Sequence, residues 1–446
     1  MKHLLEKYDT PAPRYTSYPT VPYWTDSPST EDCIESLNKY LAPNESKLAL
    51  YLHIPFCETL CTFCGCNTSI TKNHAVEEPY VSAIKKELEL YTKHVSNLKG
   101  KELSELHLGG GSPTYLSDYN LQSIIEFIFN QLSPAKDPQY SIEVDPRRTR
   151  VSQLKLLHKL GFKRISLGVQ DFDPEVQRLV NRIQPYELTE NITLEARNLG
   201  FDSVNFDLIY GLPKQSLDSM KYTMDKTLEL KPDRIAFYSY AHVPWIKASQ
   251  RLFTEEDLPV PTLKRELYEL GRSILEKEGY REIGMDHFAL PHDKLWKAFH
   301  NKTLHRNFMG YSDSKTDVML GLGSSAISET PNLFFQNIKL EMKYRKSLAE
   351  NSLPIFRGHK LTHSDQLRKQ LILELMTTWQ VKVPNELQPH TKEFLSEMEN
   401  DQLVTWHDGT LTVTNLGKPY LRIVAMAFDE KLQNTKPTGP VFSKAI

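Results

Sequence analysis

The stretch "HIPFCETLCTFCGCNT", residues 53–68, places four cysteines within ten positions and decides how the rest of the chain is interpreted. They are Cys57, Cys61, Cys64 and Cys66, in the spacing C-x3-C-x2-C-x-C. The chain of 446 residues has only five cysteines, so this loop is not part of a spread, even-numbered disulfide framework. In a reducing compartment, such a thiol cluster more often binds metal or takes part in chemistry.

The cysteine spacing bears on which kind of metal site this loop forms. A structural zinc site usually takes two ligand pairs a dozen or more residues apart, and the sequence has no second pair of cysteines. Zinc would need histidines from elsewhere in the chain, and this alternative stays open. An iron-sulfur cluster fits better, because thiolates are its preferred ligands. Three cysteines spaced three and two residues apart can wrap one cubane, which leaves one iron free to bind a small molecule.

From residue 48 onward, short apolar runs alternate with longer segments of helical periodicity. This alternation, repeated about six times, predicts a parallel sheet with right-handed crossovers, arranged as an open or closed α/β barrel. A doubly wound sheet is the competing topology, which periodicity alone does not exclude. The predicted strands are "LALYLHIPF", "SELHLGGG", "YSIEVDP", "RISLGVQ", "SVNFDLIYG", "RIAFYSY" and "REIGMDHF", and the predicted helices between them include "EEPYVSAIKKELELYTKHV", "NLQSIIEFIFNQL", "VSQLKLLHKLG", "ELTENITLEARNLG" and "SLDSMKYTMDKTLEL".

Three regions are expected along the chain. Residues 1–45 are punctuated by proline, tyrosine, serine and threonine, and we expect them to form an arm over the active site. Residues 46–360 carry the barrel pattern. Residues 361–446 contain two amphipathic segments followed by a hairpin pattern around Asp408 and Gly409, which predicts a mostly helical, winged-helix-like accessory domain. This region has no dense stripe of lysine and arginine, so we do not expect it to bind nucleic acid.

The composition is that of an ordinary globular protein. The formal net charge of −2 gives no long-range attraction to nucleic acid or to anionic membranes. No run of eighteen apolar residues occurs, so we expect no membrane span. The segment "MKHLLEKYDTPAPRYTSYPT" lacks the apolar core of a signal peptide, and we therefore expect a cytoplasmic protein. A monomer is the default expectation for the oligomeric state.

With an aromatic residue before its third cysteine, "CETLCTFC" resembles the signature of the radical S-adenosylmethionine (SAM) superfamily. Nine ordered blocks together resemble the oxygen-independent coproporphyrinogen III oxidase family: "PAPRYTSYPT", "YLHIPFCETLCTFCGCNT", "LHLGGGSPTYL", "SIEVDPR", "SLGVQDFDPEVQRLVNR", "NFDLIYGLPKQ", "GMDHFA", "LHRNFMGY" and "GLGSSAIS". The resemblance implies an α/β fold with a partial (β/α)6 radical SAM barrel. It also implies one 4Fe-4S cluster, whose open iron chelates the amino and carboxylate groups of SAM, and a second SAM molecule near the first.

The reaction that this resemblance implies belongs to anaerobic haem biosynthesis. Two propionates of coproporphyrinogen III are oxidatively decarboxylated to the vinyl groups of protoporphyrinogen IX, while SAM is cleaved to methionine and 5'-deoxyadenosine. An unactivated C–H bond must break, so a cofactor supplies the radical. The implied partners are a flavodoxin- or ferredoxin-type electron donor and an electron acceptor that the sequence does not name. A radical SAM-like haem chaperone and another tetrapyrrole-modifying radical SAM enzyme are the alternatives; chaperone relatives typically lack the extra cysteine and the long arm.

The resemblance divides the four clustered cysteines into three and one. Cys57, Cys61 and Cys64 are the expected cluster ligands. Cys66 is expected outside the cluster, because a fourth ligand would take the place of SAM on the iron. We expect Cys66 to act near the substrate, the radical or the electron. Arg14, in the N-terminal arm, is the expected clamp for the substrate, whose propionates are negatively charged.

The motifs that follow successive strands are expected to bind SAM, because the carboxyl ends of barrel strands meet at one face. The glycines of "LHLGGGSP" allow the backbone to approach a ligand closely. By the resemblance, the candidate catalytic residues are Cys66 and Tyr51. The first SAM is expected to contact Tyr51, Phe63, Gly110, Glu143 and Ile327, and the second Gly111, Ser112, Gln170, Arg182, Asp207 and Ala241.

Overall fold

Six parallel strands form the centre of the molecule. The computed structural model describes residues 2–25, 28–435, 439 and 441–445. The described strands are β1 (Leu48–Ile54), β2 (Phe56–Cys57), β3 (Ser69–Ile70), β4 (Glu102–Gly110), β5 (Ser133–Val144), β6 (Arg164–Gln170), β7 (Ser203–Tyr210), β8 (Arg234–Ser239), β9 (Arg281–Gly284), β10 (His287–Ala289), β11 (His305–Asn307), β12 (Gly310–Ser312), β13 (Val318–Leu322), β14 (Ile327–Thr330), β15 (Leu333–Asn337), β16 (Ile355–Lys360), β17 (Gln380–Lys382), β18 (Val404–His407) and β19 (Thr410–Val413). Strands β1, β4, β5, β6, β7 and β8 lie side by side and parallel, in chain order.

Helices cross over between these parallel strands. The described helices are α1 (Lys2–Tyr8), α2 (Thr30–Leu41), α3 (Glu77–His94), α4 (Asp118–Gln131), α5 (Val151–Lys159), α6 (Pro174–Leu179), α7 (Tyr186–Leu199), α8 (Leu217–Leu230), α9 (Pro261–Lys277), α10 (Lys294–His300), α11 (Glu341–Ala349), α12 (His363–Thr378), α13 (Gln388–Asn400), α14 (Leu421–Ala425) and α15 (Glu430–Asn434). Helices α3, α4, α5, α7 and α8 each fall between two neighbouring parallel strands. A doubly wound sheet would reverse its strand order, and the six strands β1, β4, β5, β6, β7 and β8 do not. The predicted partial (β/α)6 barrel is confirmed.

The strand sequences explain why the sheet lies in the core. β1 reads "LALYLHI", and six of its seven residues are buried. Such near-continuous apolar runs are typical of parallel strands that are covered on both faces. The main apolar core includes Leu50 and Leu52 of β1 and extends across the neighbouring strands and the crossover helices.

Antiparallel strands extend the sheet at both sides. On one side β13 pairs parallel with β1, and β14, β15 and β16 follow in antiparallel order. On the other side β10 and then β9 add to β8. The segment "REIGMDHF", predicted as one strand, is a hairpin of β9 and β10 that turns at Asp286, where φ is 64°. The sheet stays open, with β9 and β16 as its edges.

The C-terminal segment has a core of its own. Helices α12 and α13 accompany a three-stranded sheet in the order β17-β19-β18. The hairpin predicted around Asp408 and Gly409 is present as β18 and β19. This second core also contains Leu4 and Leu5 of α1 and Tyr15 of the arm. The N-terminal arm is therefore packed against the C-terminal segment.

The N-terminal arm holds two helices that its punctuated composition did not predict. Helix α2 begins with a capping box, in which Ser29 and Asp32 bond each other's backbone N–H groups. Its buried face, Cys33, Leu37 and Leu41, belongs to the main core. The domain boundaries at residues 45 and 360 stay predictions. Within the described ranges, no helix is long and apolar enough to cross a membrane.

Candidate active site

A cavity of about 520 Å³ opens at the carboxyl ends of the parallel strands. It extends down the barrel to Arg164 and Arg234, the first residues of β6 and β8. Its volume is within the range usual for sites that bind small molecules or cofactors. Most of the predicted site residues border it: Cys57, Cys61, Phe63, Cys64, Cys66, Gly110, Gly111, Glu143, Gln170, Arg182, Asp207 and Ala241.

The cysteine loop is closed at its base by a short parallel pairing of β2 with β3. The backbone N–H of Thr71 donates to the Cys57 carbonyl oxygen across 2.9 Å and completes this closure. Between these points, the loop carries its cysteines along one wall of the cavity.

Side chains from other parts of the chain form hydrogen bonds with backbone carbonyl oxygens of the cysteine loop. His53 Nε2 lies 2.9 Å from the carbonyl oxygen of Asn67. Lys247 Nζ donates to the carbonyl oxygen of Cys66 across 2.8 Å, and Gln250 Nε2 donates to that of Phe63 across 3.0 Å. These bonds fix the loop backbone without using the cysteine thiols.

Two arginines donate hydrogen bonds to one cysteine sulfur. Arg147 Nη2 and Arg182 Nη1 each lie 3.6 Å from Cys61 Sγ. Asp145 holds both arginines, at 2.7 Å from Arg147 Nη2 and 3.4 Å from Arg182 Nη2. Burial opposes ionisation of Asp145, but the charge of Arg182 and the contacts with Arg147 prevail and lower its pKa to about 2. The negative charge of Asp145 therefore keeps two cations beside the sulfur.

Gly110, the last residue of β4, and Gly111 after it need to be glycine for steric reasons. Gly110 has φ of 116°, and a Cβ there would lie 2.7 Å from Cε1 of His53. A Cβ at Gly111 would lie 2.7 Å from the carbonyl oxygen of Pro55. Positive φ is accessible to glycine without steric cost. The backbone of this segment therefore packs directly against the start of the cysteine loop.

Glu143 and its partners form the next part of the wall. Its carboxylate accepts from the Gly110 N–H at 3.2 Å and lies 3.2 Å from His107 Nε2. Burial opposes ionisation of Glu143, but the hydrogen bond and charge of His107 outweigh it and hold the carboxyl pKa below its usual value. His107 also bonds Ser141 across 2.7 Å and stacks on Tyr51, with ring centroids 5.9 Å apart. A fixed, ionised carboxylate suits a ligand that offers hydroxyl or ammonium donors.

Asp207 lies deeper in the barrel. It accepts from Ser166 Oγ and from Asn205 Nδ2, each across 2.9 Å. Burial, reinforced by the negative charge of Glu143, raises the pKa of Asp207 to about 7. This carboxyl can therefore change its protonation state near neutral pH.

The side chains of Gln170 and Arg182 both lie close to Gly168. β6 has a bulge between Gly168 and Gln170, and Gln170 has φ of 69°, which is uncommon for a residue with a side chain. A Cβ at Gly168 would lie 2.9 Å from Gln170 Nε2 and 3.0 Å from Arg182 Nη2. Arg182 Nη2 also donates to the Gly168 carbonyl oxygen across 2.5 Å.

Four of the predicted site residues do not border this cavity. Tyr51 lies one layer behind it, with its hydroxyl 3.1 Å from His53 Nδ1. Ser112 lines a small adjoining pocket that also contains Cys57. Ile327, on β14, packs with Trp24 and Phe334. Arg14 borders a second cavity, of about 510 Å³, and pairs there with a carboxylate oxygen of Asp286 at 2.6 Å.

Sequence reasoning assigned no role to Asp145, Arg147 or His107. Asp145 and Arg147 lie in the quoted block "SIEVDPR", directly after β5. Their position at the carboxyl end of a barrel strand was the available signal. His107, inside β4, gave no such signal, because a strand interior is usually structural.

The thiols suit an iron-sulfur cluster chemically. Cys57, Cys61 and Cys64 are free, and all three border one cavity. Within the described part of the chain, no group of three or more His, Cys, Asp or Glu side chains could hold a single metal ion. A cubane cluster does not need such a group, because each of its cysteine ligands binds a different iron atom. Soft thiolates are the donors that such a cluster prefers.

Comparison with known proteins identifies the family of the chain. The Radical SAM superfamily model matches residues 51–227. Oxygen-independent coproporphyrinogen III oxidase of Escherichia coli K12 is 36% identical, over 99% of this chain and 98% of the relative. That of Pseudomonas aeruginosa is 38% identical, over 96% and 95%. The chain belongs to the oxygen-independent coproporphyrinogen III oxidase family.

A solved structure of this family has the same fold. The solved structure of Escherichia coli coproporphyrinogen III oxidase (HemN), described as a radical SAM enzyme, superimposes with a TM-score of 0.89 at 37% identity. The match covers 94% of this chain and 98% of that chain. Family membership implies a 4Fe-4S cluster and SAM as cofactors, and the free thiols beside the cavity fit the cluster.

Proposed function

We propose that this enzyme converts coproporphyrinogen III to protoporphyrinogen IX without oxygen. Its relatives are named oxygen-independent coproporphyrinogen III oxidases. The observation that carries the proposal is that three free thiols and the Gly110–Glu143 hydrogen bond border one barrel cavity. Two propionates become vinyl groups, each losing one hydrogen atom from its β-carbon, one carbon dioxide and one further electron.

The chain's own residues provide cofactor binding and orientation. Cys57, Cys61 and Cys64 would hold the cluster, and Glu143 with the backbone of Gly110 would bind polar groups of SAM. When bound and reduced, the cluster and SAM supply the radical that removes the hydrogen atom.

A second SAM beside the first is part of the proposal. Gly111, Ser112, Gln170, Arg182, Asp207 and Ala241 are its proposed contacts. All of these except Ser112 border the main cavity, and Arg182 can pair with a carboxylate. Phe63 and Tyr51 would pack around the first SAM, and the assignment of Ile327 to its adenine stays a prediction.

Cys66 and Arg14 are proposed to act toward the tetrapyrrole. Cys66 borders the cavity beside the cluster cysteines and is the most exposed of the four. The Arg14 guanidinium lies over the ring of Tyr238, 5.5 Å from the ring centroid, and Tyr238 borders the main cavity. We further propose a flavodoxin- or ferredoxin-type donor, a monomeric state, a cytoplasmic location, and domains divided at residues 45 and 360.

Anaerobic reconstitution tests the function directly. The protein with iron, sulfide, SAM and reductant should show the absorbance and EPR signals of a 4Fe-4S cluster. With coproporphyrinogen III and an oxidant as electron acceptor, it should release protoporphyrinogen IX and 5'-deoxyadenosine. Formation of 5'-deoxyadenosine without protoporphyrinogen IX would reject the substrate. Stoichiometric haem binding without turnover would point to a haem chaperone.

A further inference from the structure

Three positively charged side chains converge on the end of the cysteine loop. Lys247, in the segment after β8, donates from Nζ to the carbonyl oxygen of Cys66 across 2.8 Å. Lys339 follows β15, and its backbone carbonyl oxygen accepts from Asn67 Nδ2 across 3.0 Å. Arg357 lies on β16, the strand that pairs with β15. We call Lys247, Lys339 and Arg357 the rim cations.

The rim cations have no anionic partner. No carboxylate of the described residues forms an ion pair with any of them. Arg357 donates from Nε to Gln336 Oε1 across 2.9 Å, which leaves its Nη1 and Nη2 for a ligand. Burial and the positive charges of Arg357 and Lys247 lower the pKa of Lys339, so the three charges lie close enough to repel one another. A bound anion would relieve this repulsion.

A ligand in solution can reach the rim cations beside the main cavity. Lys339 is exposed, and the other two are partly exposed. Cys66, whose carbonyl oxygen accepts from Lys247, borders the cavity. Val243 and Gln250, on either side of Lys247 in the sequence, border it too. The rim cations therefore lie where the cavity wall meets solvent.

The segment that carries Lys247 also presents apolar side chains to solvent. Trp245 is 42% exposed and Ile246 is 60% exposed, directly before Lys247. Large exposed apolar groups are typical of interaction sites, and here they adjoin unpaired cations. This combination suits a ligand that has an apolar body and anionic ends. A tetrapyrrole with propionate side chains has this composition.

We propose that Lys339 and Arg357, assisted by Lys247, bind a propionate carboxylate of the tetrapyrrole beside Cys66, at the rim of the main cavity. The inference rests on the proposed function, which supplies a ligand with four carboxylates, of which two react. The other two keep their charge and need cationic partners away from the reacting carbon. Arg357 presents Nη1 and Nη2 to one carboxylate, and Lys339 adds a point charge.

This contact complements the one proposed for Arg14. Arg14 borders the second cavity, so it and the rim cations would bind different carboxylates of one macrocycle. A carboxylate at the rim cations brings the macrocycle to the end of the loop that carries the Cys66 thiol. The rim cations thereby select a substrate with carboxylates on both sides of the reacting propionate.

Titration of the reconstituted holoenzyme with coproporphyrin III, the stable oxidised form with the same four propionates, tests the proposal. The double variant Lys339→Met with Arg357→Met should raise the dissociation constant about 10- to 100-fold, and Arg357→Lys alone should raise it less. The KM for coproporphyrinogen III should rise in parallel, with a smaller change in kcat. Lys136→Met, at an exposed lysine near the amino end of β5 and thus at the opposite end of the barrel, is the matched control and should bind like wild type.

Two further measurements separate recognition of carboxylates from a structural role. The tetramethyl ester of coproporphyrin III lacks the carboxylates, so it should bind wild type and the double variant equally. Added salt should weaken binding of the acid more in wild type than in the double variant, because exposed charges are screened. The double variant should keep its iron content and a Tm within about 3 °C of wild type, since the rim cations have no ion pairs to lose.

Equal dissociation constants for the acid in wild type and the double variant would overturn the inference. If the double variant then also slowed cluster reduction by an acidic flavodoxin, the rim cations would be assigned to the electron donor. A parallel loss of acid and ester binding would overturn it as well. Failure of the proposed function looks different, since wild type itself would then make no protoporphyrinogen IX.

Discussion

Arg182 and Cys61 are in direct contact, with Nη1 of the arginine 3.6 Å from the cysteine sulfur. Arg147 donates to the same sulfur from the same distance. Hydrogen bonds and positive charge at a ligand sulfur stabilise the reduced, more negative state of an iron-sulfur cluster. We therefore expect the pair of arginines to make a cluster bound at Cys61 easier to reduce.

The first prediction concerns the reduction potential of the cluster. Arg147→Met should lower it, because one hydrogen bond and one positive charge are lost while Arg182 remains with Asp145. An EPR-monitored redox titration measures the potential. Arg178→Met is the matched control, because Arg178 pairs with Glu175 on the exposed surface of α6. An unchanged potential in Arg147→Met would show that Cys61 is not electronically sensitive to this contact.

The second prediction separates Cys66 from the other three cysteines of the loop. Cys66→Ser should keep the iron content of wild type but lower turnover on the order of tenfold or more. Serine substitution of Cys57, Cys61 or Cys64 should abolish the 4Fe-4S signal. Cys33→Ser, in the buried face of α2, is the control that should keep both iron and turnover. Loss of iron in Cys66→Ser would contradict the division into three and one.

The third prediction tests the close packing at Gly110. Gly110→Ala should weaken SAM binding about tenfold or more, because the new methyl group meets His53 and the backbone is strained. Gly100→Ala is a sharp control, since Gly100 also has positive φ but no atom within 4 Å of the position that a methyl group would take. Its effect should be limited to stability. SAM affinity measured by equilibrium dialysis distinguishes the two variants, and equal affinities would refute the steric argument.

The fourth prediction concerns the pH dependence of stability. The pKa of Asp207 is about 7 in the folded protein against a usual value of 3.8, so the folded state binds more protons between these values. Stability from Asp207 is thus fully present below about pH 4 and is lost as the pH rises through 7. Asp207→Asn should therefore gain stability relative to wild type as the pH rises over this range. Urea unfolding at pH 5 and pH 8 measures the difference; a constant difference would mean that Asp207 is ionised throughout.

The alternating pattern predicted a parallel sheet covered by helices, because strands such as "LALYLHI" must be buried on both faces. The choice of a partial barrel over a doubly wound sheet came from the family resemblance. Helix α2 was missed, since the punctuated segment before it dominated the composition of the arm. Its capping box, Ser29 and Asp32, was the local signal that could have predicted it.

The sequence predicted a candidate site most clearly where function fixes residue spacing, as in the cysteine loop, and the structure places these cysteines along one cavity. The site was not predictable where function depends on contacts between distant segments. Arg14 and Asp286 are separated by 272 positions, and only the folded chain brings them together.

The fifth prediction separates two roles of Arg14. Arg14→Gln should raise the KM for coproporphyrinogen III about tenfold if Arg14 clamps the substrate, but it also leaves the partly buried Asp286 unpaired. The double variant Arg14→Gln with Asp286→Asn removes both charges, so it should recover most of the lost stability without recovering the KM. Lys7→Gln, at a surface ion pair with Asp401, controls for loss of a charge in the arm. Recovery of a wild-type KM in the double variant would assign Arg14 to holding the arm in place and would remove it from substrate binding.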